Sequence, residues 1–183
     1  MRRFWSIVIA GSVSSAAVQD CLAGDRLFDE LRFGASASVQ SGNSRESGAF
    51  PELTAFFDPL GLDEAVGWQQ QLARPRIGLG TSVGTSGEAT QVFGGLSWQF
   101  SITERIFTEA GFGVTWHDGK LEHNADGPEL GCRFLLREHV GAGYRFNAHW
   151  SAIAQVAHSS HANLCDGPND GATRAGIQLG YKF

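Results

Sequence analysis

The sequence predicts an all-β fold, an eight-stranded antiparallel transmembrane β-barrel of the bacterial outer membrane. Three observations carry this expectation. Apolar residues alternate with polar residues or glycine, segment after segment. Glycine is abundant, 24 of 183 residues, beside 13 Phe and 5 Trp, whereas ordinary proteins carry about 7% glycine. The chain closes on Tyr181-Lys182-Phe183, a terminal aromatic of the kind that sorts outer-membrane barrels.

Composition narrows the alternatives. A chain of 183 residues has room for one domain or one small barrel and not for two large domains. The net charge of −5 weighs against a nucleic-acid binder, which carries a basic face. Met1-Arg2-Arg3, an apolar run over residues 4–10 and small residues to Val18 read as a secretory signal peptide, residues 1–23, cleaved after Ala17 or Ala23. That leaves a barrel domain over residues 24–183. Removing Cys21 leaves Cys132 and Cys165, an even pair that reads as one disulfide in an oxidising compartment. The mature chain has no apolar run long enough for a membrane helix.

Alternation justifies the strands in turn, because successive side chains on a strand point to opposite faces. Segments at 27–40, 51–60, 74–84 and 89–101 come first. In the fourth, Val92, Leu96, Trp98 and Phe100 oppose Gln91, Gly95, Ser97 and Gln99. The fifth, 105–119, sets Ile106, Ala110, Phe112, Val114 and Trp116 against Glu109, Gly111, Gly113 and His117. The sixth, 132–146, sets Phe134, Leu136, Val140, Ala142 and Tyr144 against Arg133, Arg137, His139, Gly141, Gly143 and Arg145. The seventh and eighth are 150–161 and 172–183. A face that mixes Arg and Glu with Gly suits a narrow lumen filled by ion pairs, and the greasy face suits lipid. Parity puts the connections 41–50, 120–131 and 162–171 outside the cell and the short turns 102–104 and 147–149 in the periplasm. Residues 61–73, with Asp63 and Glu64, form a longer periplasmic connection with some helix.

One strand end carries chemistry. In the seventh segment, Trp150, Ala152, Ala154 and Val156 continue on the same face into His158 and Ser160. The two lie about 7 Å apart at Cα, within reach of an imidazole–hydroxyl hydrogen bond. Polar groups on a lipid wall are costly and call for a reason. Two readings stand: a nucleophile with its base, or two tolerated residues at the membrane interface. A three-residue turn, Asn147 to His149, faces Phe146 with Trp150 and keeps both apolar faces together. That register sets Glu138 opposite His158, and Cys132 opposite Leu164, next to Cys165. Glu138 is the one acid on its strand's apolar face. It is either the acid that orients the imidazole or an interface carboxylate without a catalytic role.

Residues 112–183 resemble the lipid A 3-O-deacylase (PagL-type, acyloxyacyl hydrolase) family. The resemblance lies in Arg133-Phe-Leu-Leu-Arg-Glu138, Gly143-Tyr-Arg-Phe146, His158-Ser-Ser160, Asn169-Asp-Gly171 and Leu179-Gly-Tyr-Lys-Phe183. It implies an eight-stranded outer-membrane barrel that hydrolyses the ester-linked acyl chain at the 3 position of lipid A, with His158 as general base and Ser160 as nucleophile. Family members usually carry Asn after the serine and an acid four residues beyond the Asn of Asn-x-Gly; those places hold His161 and Thr173 here. The expected acid is therefore Glu138, with Asp170 and the Thr173 position as alternatives. Asn169, His161 or a backbone amide near Ser160 is expected at the oxyanion. Lys120 and Arg133 are candidates for the lipid A phosphates.

No metal constellation and no cofactor is expected, since the six histidines are scattered and the cysteines are assigned to a disulfide. Expected partners are lipopolysaccharide and outer-membrane lipids, with a homodimer left open and no nucleic acid. The competing classes are a structural or surface barrel, an inactive relative of the deacylases, and an outer-leaflet phospholipase.

Overall fold

The computed structural model describes residues 27–183; the expected signal peptide and both of its cleavage points lie outside the described residues. Eight antiparallel strands close into a barrel in chain order, the last pairing with the first. They are β1 Phe28–Ser38, β2 Phe50–Phe57, β3 Arg76–Ser82, β4 Gln91–Ser101, β5 Ile106–His117, β6 Phe134–Arg145, β7 Trp150–Ser160 and β8 Ala172–Lys182. Each lies within three residues of its expected bounds. Closure leaves no sheet edge for lipid to meet, the condition for strands to cross a membrane. Among the described residues, no helix is long and apolar enough to cross a membrane.

Every strand splits its side chains as the alternation demands. Phe33, Leu53, Leu79, Val92, Phe112, Val114, Val140 and Ile177 are exposed on the outer wall, while Arg32, Arg76, Gln91, Glu109, Arg174 and Gln178 are buried in the lumen. This inversion of a soluble protein's burial follows from the solvent. Hydrocarbon solvates the apolar face, so polar groups must satisfy one another inside.

The lumen does so with an ion network. Arg32 donates to Glu30 at 2.9 and 3.0 Å and to both Glu109 oxygens at 2.8 Å. Arg76 reaches Asp29 at 2.9 Å, Glu30 at 2.7 Å and Glu109 at 2.8 Å. The Phe56 ring lies 4.3 and 4.4 Å from these two guanidinium carbons. In this cluster Arg32, Arg76, Asp29, Glu30 and Glu109 each have an opposite charge within bonding distance, which offsets the cost of taking them out of water. Nearer the other end, Glu52 accepts from Ser36, Ser82 and Gln178. Arg174 donates to Glu46 at 2.6 and 2.8 Å and to the Ala89 carbonyl at 2.8 Å, so the β1–β2 loop is drawn over the mouth.

Glycine makes room in this narrow bore. Gly143 is the register partner of Phe107, and a Cβ there would collide with the Phe107 ring. Phe107 shares the parity of Glu109, and the missing side chain opposite lets the ring fill the lumen.

The rims differ as parity requires. Residues 102–105 and 146–149 make tight turns at the end that carries Phe28 and Phe183. In the second, Phe146 N–H donates to the Trp150 carbonyl at 2.9 Å, and Asn147 Oδ1 accepts from the amides of His149 and Trp150. That asparagine-led turn sets the three-residue connection. At the same rim Trp150, Tyr181, Phe183 and Phe28 form a chain of ring contacts with centroids 4.9–5.0 Å apart, an aromatic girdle. The connection after β2 contains a 3-10 turn, Leu62–Glu64, and a short helix α1, Trp68–Ala73, matching the expected partial helix. That connection, residues 58–75, apart, the longer loops, 39–49, 118–133 and 161–171, gather at the opposite rim, the extracellular side by the usual asymmetry of such barrels.

Candidate active site

The β6–β7 pairing sets Glu138 opposite His158 and Leu136 opposite Ser160, the register that the three-residue turn requires. Ser159 is completely buried, whereas His158 and Ser160 are part-exposed on the outer wall. Strand alternation explains the difference: Ser159 faces the lumen, 3.5 Å from Arg137 Nη1, and its two neighbours face away. The pair sits at the last turn-ward residues of β7, beside the extracellular loops.

His158 has a partner on each side. Glu138 flanks it from β6 and Thr173 from β8. The imidazole Nδ1 lies 2.8 Å from Thr173 Oγ1. Glu138 is exposed on the outer face, and among the described residues no hydrogen bond joins it to His158. With Thr173 Oγ1 as acceptor, Nδ1 carries the proton and Nε2 keeps its lone pair, the tautomer of a general base.

Thr173 is held by the two residues that follow β1. Its N–H donates to Gln40 Oε1 at 2.9 Å, and its carbonyl accepts the Val39 N–H at 3.0 Å. The Gln40 side-chain amide also donates to the carbonyls of Asp170 and Gly171. Gly171 has φ +66°, and a Cβ there would stand 2.8 Å from His158 Cε1 and 3.3 Å from Nε2. A glycine is required at that point both for its backbone angle and for the ring beside it.

The remaining expected residues lie in the loops. Asn169 Oδ1 accepts the His161 N–H at 3.1 Å, and its Nδ2 is 3.5 Å from Asn163 Oδ1. His161 is buried, with Nε2 3.0 Å from the Pro168 carbonyl. Its ring clusters with Cys132 and Cys165, whose sulfurs are bonded as expected, with Cα atoms 6.3 Å apart. Asp170 accepts the Glu129 N–H at 3.0 Å and returns its own N–H to the Glu129 carbonyl at 3.1 Å. Its carboxylate therefore clasps two loops together. Arg133 Nη1 is spent on the Gly119 carbonyl at 2.7 Å.

The structure thus brings His158, Ser160, Glu138 and Thr173 onto one patch of outer wall and leaves Asp170 and His161 in the loop scaffold. Sequence reasoning missed the contributions of Gln40 and Gly171. Gln40 is 133 residues from Thr173 in the chain, and no local pattern could announce the contact. The positive φ of Gly171 had a signal in the Asn-Asp-Gly turn.

The lipid A 3-O-deacylase (PagL) family model matches residues 60–182. No curated protein sequence matches. Among solved structures, the chain is similar to a crystal structure of the outer membrane enzyme PagL, with TM-score 0.65 and 21% identity over 84% of this chain and 99% of that one. It is also similar to Neisserial surface protein A, TM-score 0.56 and 11% identity over 85% and 97%. A de novo designed transmembrane β-barrel matches with TM-score 0.52 and 8% identity over 87% and 98%. At these identities the likenesses are of fold.

Proposed function

The chain belongs to the lipid A 3-O-deacylase (PagL) family of outer-membrane barrels, and from that premise we propose that it hydrolyses the 3-O-linked acyl ester of lipid A with Ser160 as nucleophile and His158 as general base. The carrying observation is that these two residues share the outer face of β7 at its extracellular end, with the imidazole Nδ1 on the Thr173 hydroxyl.

Location governs the mechanism. Lipid A lies in the outer leaflet with its ester linkages just below the headgroups, the depth of an outward-facing pair near the loop-bearing rim. Substrate arrives by lateral diffusion along the wall, without passing the ion-filled lumen. Ser160 Oγ attacks the ester carbonyl while His158 Nε2 takes its proton. The tetrahedral oxyanion is met by Asn169 Nδ2 or a backbone amide near Ser160. Collapse expels the lipid A 3-hydroxyl, which takes the proton from the imidazolium and leaves an acyl-enzyme. Water activated by His158 then releases a 3-hydroxy fatty acid and restores Ser160.

Thr173 orients the ring through Nδ1 but carries no charge. Glu138, one register position across, supplies the negative field that favours the imidazolium. A deacylase without a hydrogen-bonded carboxylate is expected to be slow. The same observation favours one second reading, an inactive barrel of the family.

Mass spectrometry of lipid A from cells expressing wild type or Ser160→Ala separates them. Loss of one hydroxyacyl mass with wild type alone supports the deacylase. No mass change with wild type, in cells where the folded barrel reaches the outer membrane, supports the inactive barrel. Loss of a phospholipid acyl chain with lipid A unchanged identifies a phospholipase.

A further inference from the structure

The periplasmic rim carries a feature that the site does not use. β4 outruns β3: Arg76, the first residue of β3, pairs with Ser97, and β4 continues to Ser101. Along those last residues the place of a neighbouring strand is taken by α1. Trp98 Nε1 donates to the Leu72 carbonyl at 2.9 Å, and the Ser101 N–H donates to Gln71 Oε1 at 3.2 Å. Trp98 shares the parity of Val92 and Leu96, the outward set of its strand, so α1 is clipped to the lipid side of the rim.

The helix sorts its residues by direction. Gln71 lines the polar cavity, about 350 Å³, at the periplasmic mouth of the lumen. Trp68 and Leu72, one turn apart and hence on one face, are 66% and 51% exposed, and Val66 just before them is 80% exposed. Gln69 and Gln70 are also exposed. Residues 66–73 contain no charged side chain. Large apolar groups left uncovered beside a membrane wall, on a segment without charge, have one neighbour available to them. Tryptophan favours the membrane–water boundary, where its ring is buried and its edge is wet.

We propose that α1 is an in-plane anchor in the inner leaflet of the outer membrane, its Trp68 and Leu72 seated among phospholipid acyl chains and its glutamines in periplasmic water. The lipid wall of β3 and β4 leads down to the point where α1 is attached: Ile77 pairs with Leu96, two residues before Trp98, and both are exposed. The inference rests on the barrel and its orientation and is independent of the deacylase reading.

The test uses the full-length mature barrel with its disulfide intact, reconstituted in phosphatidylethanolamine/phosphatidylglycerol vesicles. Nitroxides are placed singly through Trp68→Cys, Leu72→Cys and Gln70→Cys, with Val156→Cys as the lipid-facing control and Asp126→Cys as the loop control. Collision with molecular oxygen and with a water-soluble nickel chelate is read by electron paramagnetic resonance. Labels at 68 and 72 matching the Val156 control, with 70 matching Asp126, are the expected result. Labels at 68 and 72 that match Asp126, or that are shielded from both reagents as under a protein partner or second copy, overturn the proposal. Heat-modifiable mobility confirms that each labelled variant is folded, and two independent lipid-facing positions keep the result readable if one fails.

Discussion

His158 on β7 and Thr173 on β8 are cross-strand partners whose side chains meet at 2.8 Å on the outer wall of the barrel, so a hydroxyl occupies the place where a Ser-His hydrolase ordinarily holds a carboxylate. A hydroxyl can fix the tautomer and orientation of the imidazole. It cannot neutralise the imidazolium that forms as the serine proton moves.

Thr173→Val is therefore expected to lower kcat for hydroxyacyl release about fivefold, the value of one neutral hydrogen bond of about 1 kcal/mol, with little change in KM. Thr173→Glu should raise it above wild type by adding charge at the same atom position. Rates measured on purified lipid A in detergent micelles check both, and an unaltered Thr173→Val rate removes the threonine from the mechanism.

Glu138→Gln preserves shape and removes charge. A carboxylate that stabilises the imidazolium formed in the transition state by about 1.4 kcal/mol is worth about tenfold in kcat, so Glu138→Gln is expected to lower the rate of hydroxyacyl release on purified lipid A by that factor. Full activity in Glu138→Gln would discard the glutamate as the acid.

Gly171→Ala places a methyl where the His158 ring now lies, 2.8 Å from Cε1, at a φ of +66°. The backbone penalty is about 1–2 kcal/mol, within reach of a stable barrel, whereas the displaced imidazole should lose most of its activity. Comparing deacylation rates with urea midpoints separates the two effects: most of the activity lost while the barrel stays folded, with a stability loss of about 1–2 kcal/mol, is the expected pattern.

Glu109→Leu strands Arg32 and Arg76, both of which it binds at 2.8 Å in the lumen. Breaking a buried pair leaves uncompensated charge and should cost about 3–5 kcal/mol. Urea unfolding in micelles, followed by heat-modifiable mobility, measures the loss. A double change that also replaces Arg32 by Met should recover part of it.

The fold was legible from the chain because a membrane barrel obeys a period-two rule at every strand. Lipid outside and ion pairs inside punish any residue that changes face, so Ile106 to Trp116 or Phe134 to Tyr144 declare their orientation without reference to neighbours. Register followed where a short turn tied it down. Asn147 and the apolar parity of Phe146 and Trp150 were enough to set Glu138 beside His158 and Cys132 near Cys165.

Contacts between distant strands were a different matter. That Thr173 rather than Glu138 would hydrogen-bond His158, that Gln40 would hold Thr173, and that α1 would take the place of a strand beside Trp98 were decided by barrel closure. The alternation of one strand determines which face a side chain takes. Which partner it meets across the β7–β8 and β8–β1 seams depends on rotamers and loop paths that no local pattern encodes, because they are chosen only when the eighth strand returns to the first.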